Sequence, residues 1–276
     1  MERKLFNLLI FIWSLSFHAA AQGNLLITPM RVVFDGNKQI EELNLMNTGT
    51  DVATYSVSFR SYNMNEQGKL VLLEKPDTTL MLAEPYLRIF PRQVTLAPGE
   101  PQIIMLQCRR PPGMLAGEYR SHLWFRSEKN YEALGKEESS LEANQLSVKV
   151  IPIFGITIPV IIRSGAVNVQ VTMSDLKLEI LQDSIQTLHF TLNRTGNIST
   201  YGNIRIDYVP KQGKPYQVGA SVGVSVYTNL QKRNVAVKLN NIKGGKIENG
   251  KLKVQYLSNG ESKQVVYAEG ELIIDM

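Results

Sequence analysis

The sequence predicts an all-β protein made of two immunoglobulin-like β-sandwich domains in series. Short segments alternate between apolar and polar residues along the chain, and turn-forming residues separate them. No segment shows the long apolar period of about 3.6 residues that a βαβ unit requires. The length of 276 residues fits two domains, since a domain takes roughly 100–200 residues.

The composition excludes several classes of protein. Hydrophobic residues make up 43% and charged residues 20%, so a packed core is available and disorder is excluded. The net charge of +5 comes from scattered basic residues, whereas nucleic-acid binding usually needs a basic stripe, so we expect no nucleic-acid partner. A single Cys excludes an internal disulfide, a four-cysteine zinc site and a thioredoxin-like pair.

Residues 1–21 have the pattern of a cleaved signal peptide. Arg3 and Lys4 precede an apolar run at 5–17, and Ala19 and Ala21 form an A-x-A cleavage site. The run falls short of the roughly 20 apolar residues of a spanning helix, which leaves an uncleaved anchor as the weaker alternative. We therefore expect export, cleavage after Ala21 and no stable membrane anchor.

The first predicted domain covers residues 22–163. Its short strands lie between turns such as Ala97-Pro98-Gly99, and their spacing is typical of an immunoglobulin-like sandwich. A polar loop at 127–144 and a long apolar segment at 146–162 follow the shorter strands. The predicted strands before the loop are 25–34 (interrupted by Pro29), 40–46, 53–59, 87–94, 102–108 and 119–126.

The second predicted domain, residues 164–276, repeats this pattern. Gly223 lies inside one of its strands and predicts a β-bulge, because glycine within a strand often marks one. The predicted strands are 167–173, 176–181, 187–192, 204–209, 220–227, 235–239, 252–256 and 264–274.

Residues for catalysis are scarce. His122 and His189 lie in alternating segments and have neither catalytic partners nor metal-ligand spacing. Residues 219–223 match the G-x-S-x-G elbow of serine hydrolases, but the chain continues as a strand where that motif needs a helix. Cys108 is interpreted as a buried small hydrophobe, with dimerisation through an exported thiol as the alternative. We expect no enzyme activity, no metal site and no cofactor.

Five motifs of the first domain follow one another in a particular order. They are the strand 25–36 with Arg31 inside it, the strand and turn 42–49, the hairpin "PRQVTLAPG" at 91–99, the strand 117–126, and the apolar segment that ends in Arg163. In this order and spacing they resemble the periplasmic pilus chaperones of the chaperone–usher family, over about residues 24–163.

The resemblance implies two immunoglobulin-like domains with a cleft between them and a binding activity in the periplasm. Such a chaperone lends a β-strand to an incomplete pilus or fimbrial subunit. The implied partners are these subunits and possibly an outer-membrane usher. Arg31 is implied to bind the C-terminal carboxylate of the subunit. Because Pro159 stands where the family has a Lys, we expect Arg163 to supply the second positive charge.

A donor strand needs an exposed edge with apolar residues two apart. Leu146, Val148 and Val150 form such a row, and Phe154 and Ile156 share its parity. The alternative is that the row fills the core of its own sandwich, and this alternative is stronger from Phe154 onward, where both parities are largely apolar. Prolines at 152 and 159 fit an edge strand, since a central strand would lose hydrogen bonds.

A structural or adhesive β-sandwich protein of the cell envelope is the competing function, because fold alone does not decide function. Two features favour the chaperone. The long polar loop leads directly into the alternating strand, and Arg31 lies near the start of the mature chain, inside its first predicted strand. A structural module needs neither.

Overall fold

The described part of the chain consists of β-strands joined by turns and one short 3-10 helix, Glu84–Tyr86, and the predicted all-β class is confirmed. The computed structural model describes residues 25–74, 79–128, 154–180, 186–240, 242, 247, 249–259 and 264–275. The predicted signal peptide and nearly all of the predicted polar loop lie outside these ranges. The first strands are Leu25–Thr28 (β1), Val32–Phe34 (β2), Ile40–Asn47 (β3), Ala53–Arg60 (β4), Tyr62–Met64 (β5), Leu70–Leu72 (β6), Leu87–Phe90 (β7), Gln93–Leu96 (β8), Pro101–Cys108 (β9), Gly117–Glu128 (β10) and Gly155–Ser164 (β11).

Two sheets face each other in the first sandwich. One has the strand order β1-β3-β9-β7 and the other the order β2-β11-β10-β4-β8. Leu43 and Ile104 of the first sheet meet Phe34 and Leu123 of the second in one hydrophobic core, and all four side chains are fully buried. Cys108 is also buried in this core, as the sequence predicted. Alternating residues of each strand thus supply the core, and the others face outward.

Two segments predicted as single strands are each divided between the two sheets. The predicted strand 25–34 is β1 up to Thr28 and β2 from Val32, and the predicted strand 87–94 is β7 followed by the start of β8. Pro29 and Pro91 follow β1 and β7, and a proline cannot continue the ladder because it has no N–H group. The first division places Arg31 immediately before β2.

Asn47 fixes the turn that follows β3. Its side chain is fully buried, and its amide donates hydrogen bonds to the carbonyl oxygens of Asp51 (2.7 Å) and Leu96 (3.0 Å). Its side-chain oxygen accepts a hydrogen bond from the Gly49 N–H at 2.9 Å. The backbone groups in this turn therefore find partners although the turn is partly buried.

The second sandwich also has one core between two sheets. Leu188 and Val237 of one sheet pack with Ile206 and Tyr256 of the other. Its strands are Val169–Ile180 (β12), Gln186–Gly196 (β13), Thr200–Pro210 (β14), Tyr216–Val226 (β15), Lys232–Lys238 (β16), Gly250–Ser258 (β17) and Val266–Ile274 (β18). The sheets have the orders β12-β13-β16 and β15-β14-β17-β18.

Two of the register shifts in this sandwich bear on the predicted strands. The predicted strands 167–173 and 176–181 are one strand, β12, whose register shifts between Ser174 and Lys177. In β15 the register shifts where Gly202 and Ile204 of β14 pair with Val224 and Ser221, so two residues lie opposite one. The extra residues include Gly223, and the predicted bulge is confirmed.

A hairpin that was not predicted connects the two sandwiches. Strands β5 and β6 pair with each other, and residues of the hairpin accept hydrogen bonds from the second sandwich. Asn229 donates its side-chain amide to the Met64 carbonyl at 2.9 Å, and the Asn234 N–H donates to the Glu66 carbonyl at 2.7 Å. The domain boundary predicted after residue 163 lies near the end of β11, with one core on either side, and stays a prediction.

Candidate functional site

A cluster of charged and aromatic side chains lies where the second sandwich covers the outer face of the sheet β2-β11-β10-β4-β8. We call it the interface cluster. The first sandwich contributes Arg31, Tyr62, Glu118, Arg120 and His122, and the second contributes Ser199, Tyr201 and Tyr227.

Strand β10 supplies three members of this cluster because of its period of two. Leu123 and Phe125 face the hydrophobic core, and Glu118, Arg120 and His122 have the opposite parity. On an isolated sandwich these three would be in water. Here all three are buried, because residues of the second sandwich cover them.

Glu118 is held by both sandwiches. Its Oε1 accepts a hydrogen bond from Arg120 Nη2 at 2.6 Å, and its Oε2 accepts from the Ser199 hydroxyl at 2.8 Å and from the Ser199 N–H at 3.0 Å. Burial alone would raise the pKa of Glu118, but Arg120 and Ser199 outweigh it and hold the pKa below its usual value. The carboxylate is therefore ionised and connects the two sandwiches.

Arg120 is only 8% exposed and completes this connection. Its Nη2 also donates to the Ser199 hydroxyl at 2.6 Å, and its guanidinium lies 3.8 Å from the centroid of the Tyr227 ring. Its Nη1 has no hydrogen-bond partner among the described residues. The cation–π contact with Tyr227 compensates in part for this missing hydrogen bond.

His122 is a buried neutral imidazole. Its Nε2 lies 3.1 Å from the Tyr227 hydroxyl, and the edge of its ring meets Tyr62 at a centroid distance of 4.9 Å. Burial, followed by the charges of Arg120 and Arg31, lowers the pKa of His122 to about 3. The interface cluster therefore holds two guanidinium groups and one carboxylate.

Arg31 is the cation of this cluster that forms no ion pair with a described residue. Its guanidinium lies 4.6 Å from the centroid of the Tyr201 ring of the second sandwich. Burial, followed by the positive charge of Arg120, lowers the pKa of Arg31 to about 10. The group is still protonated at neutral pH, so a half-buried positive charge is available to an incoming anion.

Arg163 lies on the same face of the sheet but in a different position. It pairs with Glu118 across β10 and β11, and its Nη1 donates to the Asp35 carboxylate at 3.3 Å. Its charge also lowers the pKa of Arg31, but less than the charge of Arg120 does. Asp35 partly neutralises Arg163, whereas Arg31 forms no ion pair with a described residue; the negative charge of Glu118 raises the pKa of Arg31, but by less than burial and Arg120 lower it.

The edge of β11 is open beside Arg31. β11 pairs with β10 from Gly155 to Ser164, but on its other side β2 pairs only with Val160–Ile162. The segment from Gly155 to Pro159 therefore has one unpaired edge among the described residues. The residue preceding β2 is Arg31, which places the arginine where the open edge ends.

Some of the predicted donor residues lie at this edge, and the others lie outside the described residues. Leu146, Val148 and Val150 lie outside the described residues. Phe154 precedes the open edge and is 40% exposed. Ile156 is partly buried and packs against the first core, as the alternative for this part of the row expected.

Sequence reasoning missed Glu118, Arg120, Ser199, Tyr201 and Tyr227. A charged residue at every second position of β10 normally indicates a solvent-facing strand face. The one signal was that His122 and Trp124 share the parity of Glu118 and Arg120, and such side chains are less typical of an exposed face. The residues that cover this face come from about 80 to 100 positions later in the chain, so local patterns could not reveal it.

Other candidate groups have ordinary surroundings. Ser221 lies within strand β15, away from any strand-to-helix turn, and the exposed His189 contacts Glu179 at 3.1 Å. In the part of the chain that the structure describes, no group of three or more His, Cys, Asp or Glu could hold a metal ion. Within the same residues, no helix is long and apolar enough to cross a membrane.

Comparison with known proteins finds similarity only to solved structures. No protein-family model and no curated protein matches the sequence. The YadV chaperone is 11% identical, with a TM-score of 0.46 over 91% of this chain and 100% of that one.

Two further similar structures are complexes. The structure of the CsuC–CsuE chaperone–tip subunit complex, from the chaperone–usher Csu pili of Acinetobacter baumannii, is 14% identical with a TM-score of 0.44, over 92% of this chain and 100% of that one. The structure of the Salmonella enterica SafA pilin with the SafB chaperone is 11% identical with a TM-score of 0.40, over 88% and 95%. Likeness at this identity transfers no activity. Each of these two structures contains a chaperone together with a pilus subunit.

Proposed function

We propose that the protein is an exported periplasmic chaperone that binds pilus or fimbrial subunits by β-strand pairing and holds the subunit's C-terminal carboxylate at Arg31. One observation carries this proposal: the open edge of β11 ends at an arginine that forms no ion pair with any described residue. The chain itself catalyses nothing in this function and needs no cofactor.

The open edge supplies the affinity. Unpaired backbone groups from Gly155 to Pro159 can form a ladder with an extended partner segment, which is β-augmentation. Ile156, Ile158, Val160 and Ile162 of β11 point to the core face, so a partner that pairs along this strand extends the sheet and shares that core. The donor row at 146–156 continues this edge in the sequence.

The charge of Arg31 selects the direction of the partner strand. A partner segment parallel to β11 would lie in line with β2, since β2 is also parallel to β11. Its C-terminus would then arrive beside Arg31, and the guanidinium could donate two parallel hydrogen bonds to the terminal carboxylate. In the opposite direction an N-terminal ammonium group would meet Arg31 and be repelled.

Arg163 remains the proposed second positive charge. It lies on the same sheet face as Arg31, and Arg120 lies between them in the strand register, since Arg120 pairs with Ile161. An incoming carboxylate therefore meets a face with three guanidinium groups, of which Glu118 and Asp35 partly neutralise two.

The test is co-expression with candidate exported subunits followed by isolation of a one-to-one periplasmic complex. Arg31→Ala should fold and be exported, yet bind subunits roughly ten- to a hundredfold more weakly, because a charged hydrogen-bond pair is worth about 1.5–3 kcal/mol. Amidating the C-terminus of the subunit should have the same effect.

Arg205→Ala is the matched control, because Arg205 lies on the exposed face of β14 and pairs with Asp207 at 2.9 Å. It should bind subunits normally. Full binding by Arg31→Ala would refute the proposed site and favour a structural or adhesive role in the cell envelope.

A further inference from the structure

The second sandwich holds the arginine on which the proposed function depends. Tyr201 lies on β14 at an outward-facing position, and the centroid of its ring lies 4.6 Å from the Arg31 guanidinium. Arg31 has no hydrogen-bonded acidic partner in the described part of the chain, so this cation–π contact orients the side chain. The carboxylate site is therefore shared between the two sandwiches.

The bulge of β15 lies directly against Tyr201. The Gly223 N–H donates to the Asn203 side-chain oxygen at 3.1 Å, and Gly223 has a φ of +73°, which favours glycine. A Cβ atom at Gly223 would lie 3.6 Å from the Tyr201 hydroxyl. A side-chain hydrogen bond thus fixes the bulge next to the residue that positions Arg31.

The residue that precedes Gly223 in the bulge exposes an apolar side chain to solvent. Val222 is 80% exposed, more than any other large hydrophobic residue among those described. Met30, which precedes Arg31 on the first sandwich, is 60% exposed. A single exposed hydrophobic residue needs no explanation. Here there are two: Met30 precedes Arg31 in the chain, and Val222 belongs to the bulge that lies against Tyr201.

We infer that Tyr201 and Val222 form a second-domain lip of the carboxylate site, which selects partner polypeptides whose last residue is apolar. Tyr201 is a positioning residue that holds Arg31 for the carboxylate, and Val222 contacts the side chain of the terminal residue. This inference rests on the proposed function, and it adds the kind of C-terminus that the site accepts.

The test uses synthetic peptides of about ten residues, the length of an ordinary strand, that end in Leu or in Ser. Each peptide is prepared as the free acid and as the amide, and binding to the full protein is measured by fluorescence anisotropy. The unaltered protein should bind the Leu acid at least tenfold more tightly than the Leu amide, and a few-fold more tightly than the Ser acid.

Two variants separate the roles of the lip. Val222→Ser should bring the Leu-to-Ser preference close to one and leave the acid-to-amide preference unchanged. Tyr201→Leu should lower the acid-to-amide preference severalfold, whereas Tyr201→Phe, which keeps the ring, should retain it. A residue with a merely structural role would change binding of all four peptides alike.

Ile273→Ser is the control for Val222, because Ile273 is 73% exposed on β18 of the same sandwich. It should alter neither preference. A Leu-to-Ser preference that survives Val222→Ser, or a full acid preference in Tyr201→Leu, would overturn the lip. Equal binding of acid and amide by the unaltered protein would instead overturn the proposed function, and the inference with it.

Discussion

At the scale of single residues, the interface cluster contains charges that the fold itself does not require. Arg31 is half-buried and forms no ion pair with a described residue, so the cation–π contact with Tyr201 and the charge of Glu118 compensate only in part for its desolvation. His122 has lost access to water and stays neutral. Side chains of this kind are retained where binding depends on them, and they reduce the stability of the free protein.

Replacing Arg31 by Met should therefore not destabilise the free protein. Met keeps an apolar contact with Tyr201 and removes a desolvated charge, so the free energy of unfolding should stay the same or rise by about 1 kcal/mol. Urea denaturation measures this, and loss of subunit binding accompanies it. A fall of more than about 1 kcal/mol would show that Arg31 supports the fold.

The stability of the protein should fall in mild acid because of His122. Its folded pKa of about 3 lies below the unfolded value of about 6.5, so its contribution is complete above pH 6.5 and is lost as the pH falls from there towards 3. Between pH 7 and pH 5 the loss should be about 2 kcal/mol in urea denaturation.

Matched variants assign this acid sensitivity. His122→Gln can still bond to the Tyr227 hydroxyl but does not titrate, so its stability should change less over the same pH range. His189→Gln is the control and should retain the acid sensitivity of the unaltered protein, because His189 is not buried. Equal acid sensitivity in His122→Gln would contradict the assignment.

At the scale of elements, the open edge of β11 and its neighbours show what a sequence can and cannot predict. The alternation of β10 and the glycine of β15 predicted a strand and a bulge correctly. The division of 25–34 between two sheets was missed, because alternation shows which residues share a face but not which strand each residue pairs with. Arg31 was therefore predicted inside a strand, whereas it lies between two.

The backbone of the open edge can be tested with proline. Pro159 lies within β11, so its nitrogen is expected to face the open side, and Thr157, two residues earlier, shares that direction. Thr157→Pro should leave the fold intact and weaken subunit binding about tenfold, because one ladder hydrogen bond to the partner is lost.

Ile156→Pro is the matched variant for this experiment. Its N–H faces β10, so its loss should destabilise the protein by about 3 kcal/mol or more in urea denaturation. Normal subunit binding by a folded Thr157→Pro variant would show that the partner does not pair along this edge.

At the scale of the whole molecule, the two sandwiches share one polar interface. Glu118, Arg120 and Ser199 connect them through hydrogen bonds, and the β5–β6 hairpin adds two more. None of this followed from the sequence, because the residues that meet are far apart in the chain and each lies in an ordinary alternating segment. The sandwiches themselves could be predicted, since each depends on local periodicity.

Glu118→Gln should destabilise the protein by about 3–5 kcal/mol, because it leaves Arg120 as a buried charge without a counter-ion. Urea denaturation measures the change. Glu269→Gln, which removes an exposed partner of Lys253 at 3.7 Å, should change stability by less than about 0.5 kcal/mol. Similar effects of both variants would show that the interface cluster does not bind the sandwiches together.

The short strand β2 has a consequence for the register in which different partner strands pair with β11. It pairs with β11 from Val160 onward, so an added strand that runs parallel to β11 cannot extend beyond Val32. A one-residue slip reverses which side chains face the core, and a strand without a stop can slip. Because β2 blocks further extension, the position of the partner's C-terminus sets which of its residues pair with β11. Subunits of unrelated sequence would then all pair in the same register relative to their C-termini.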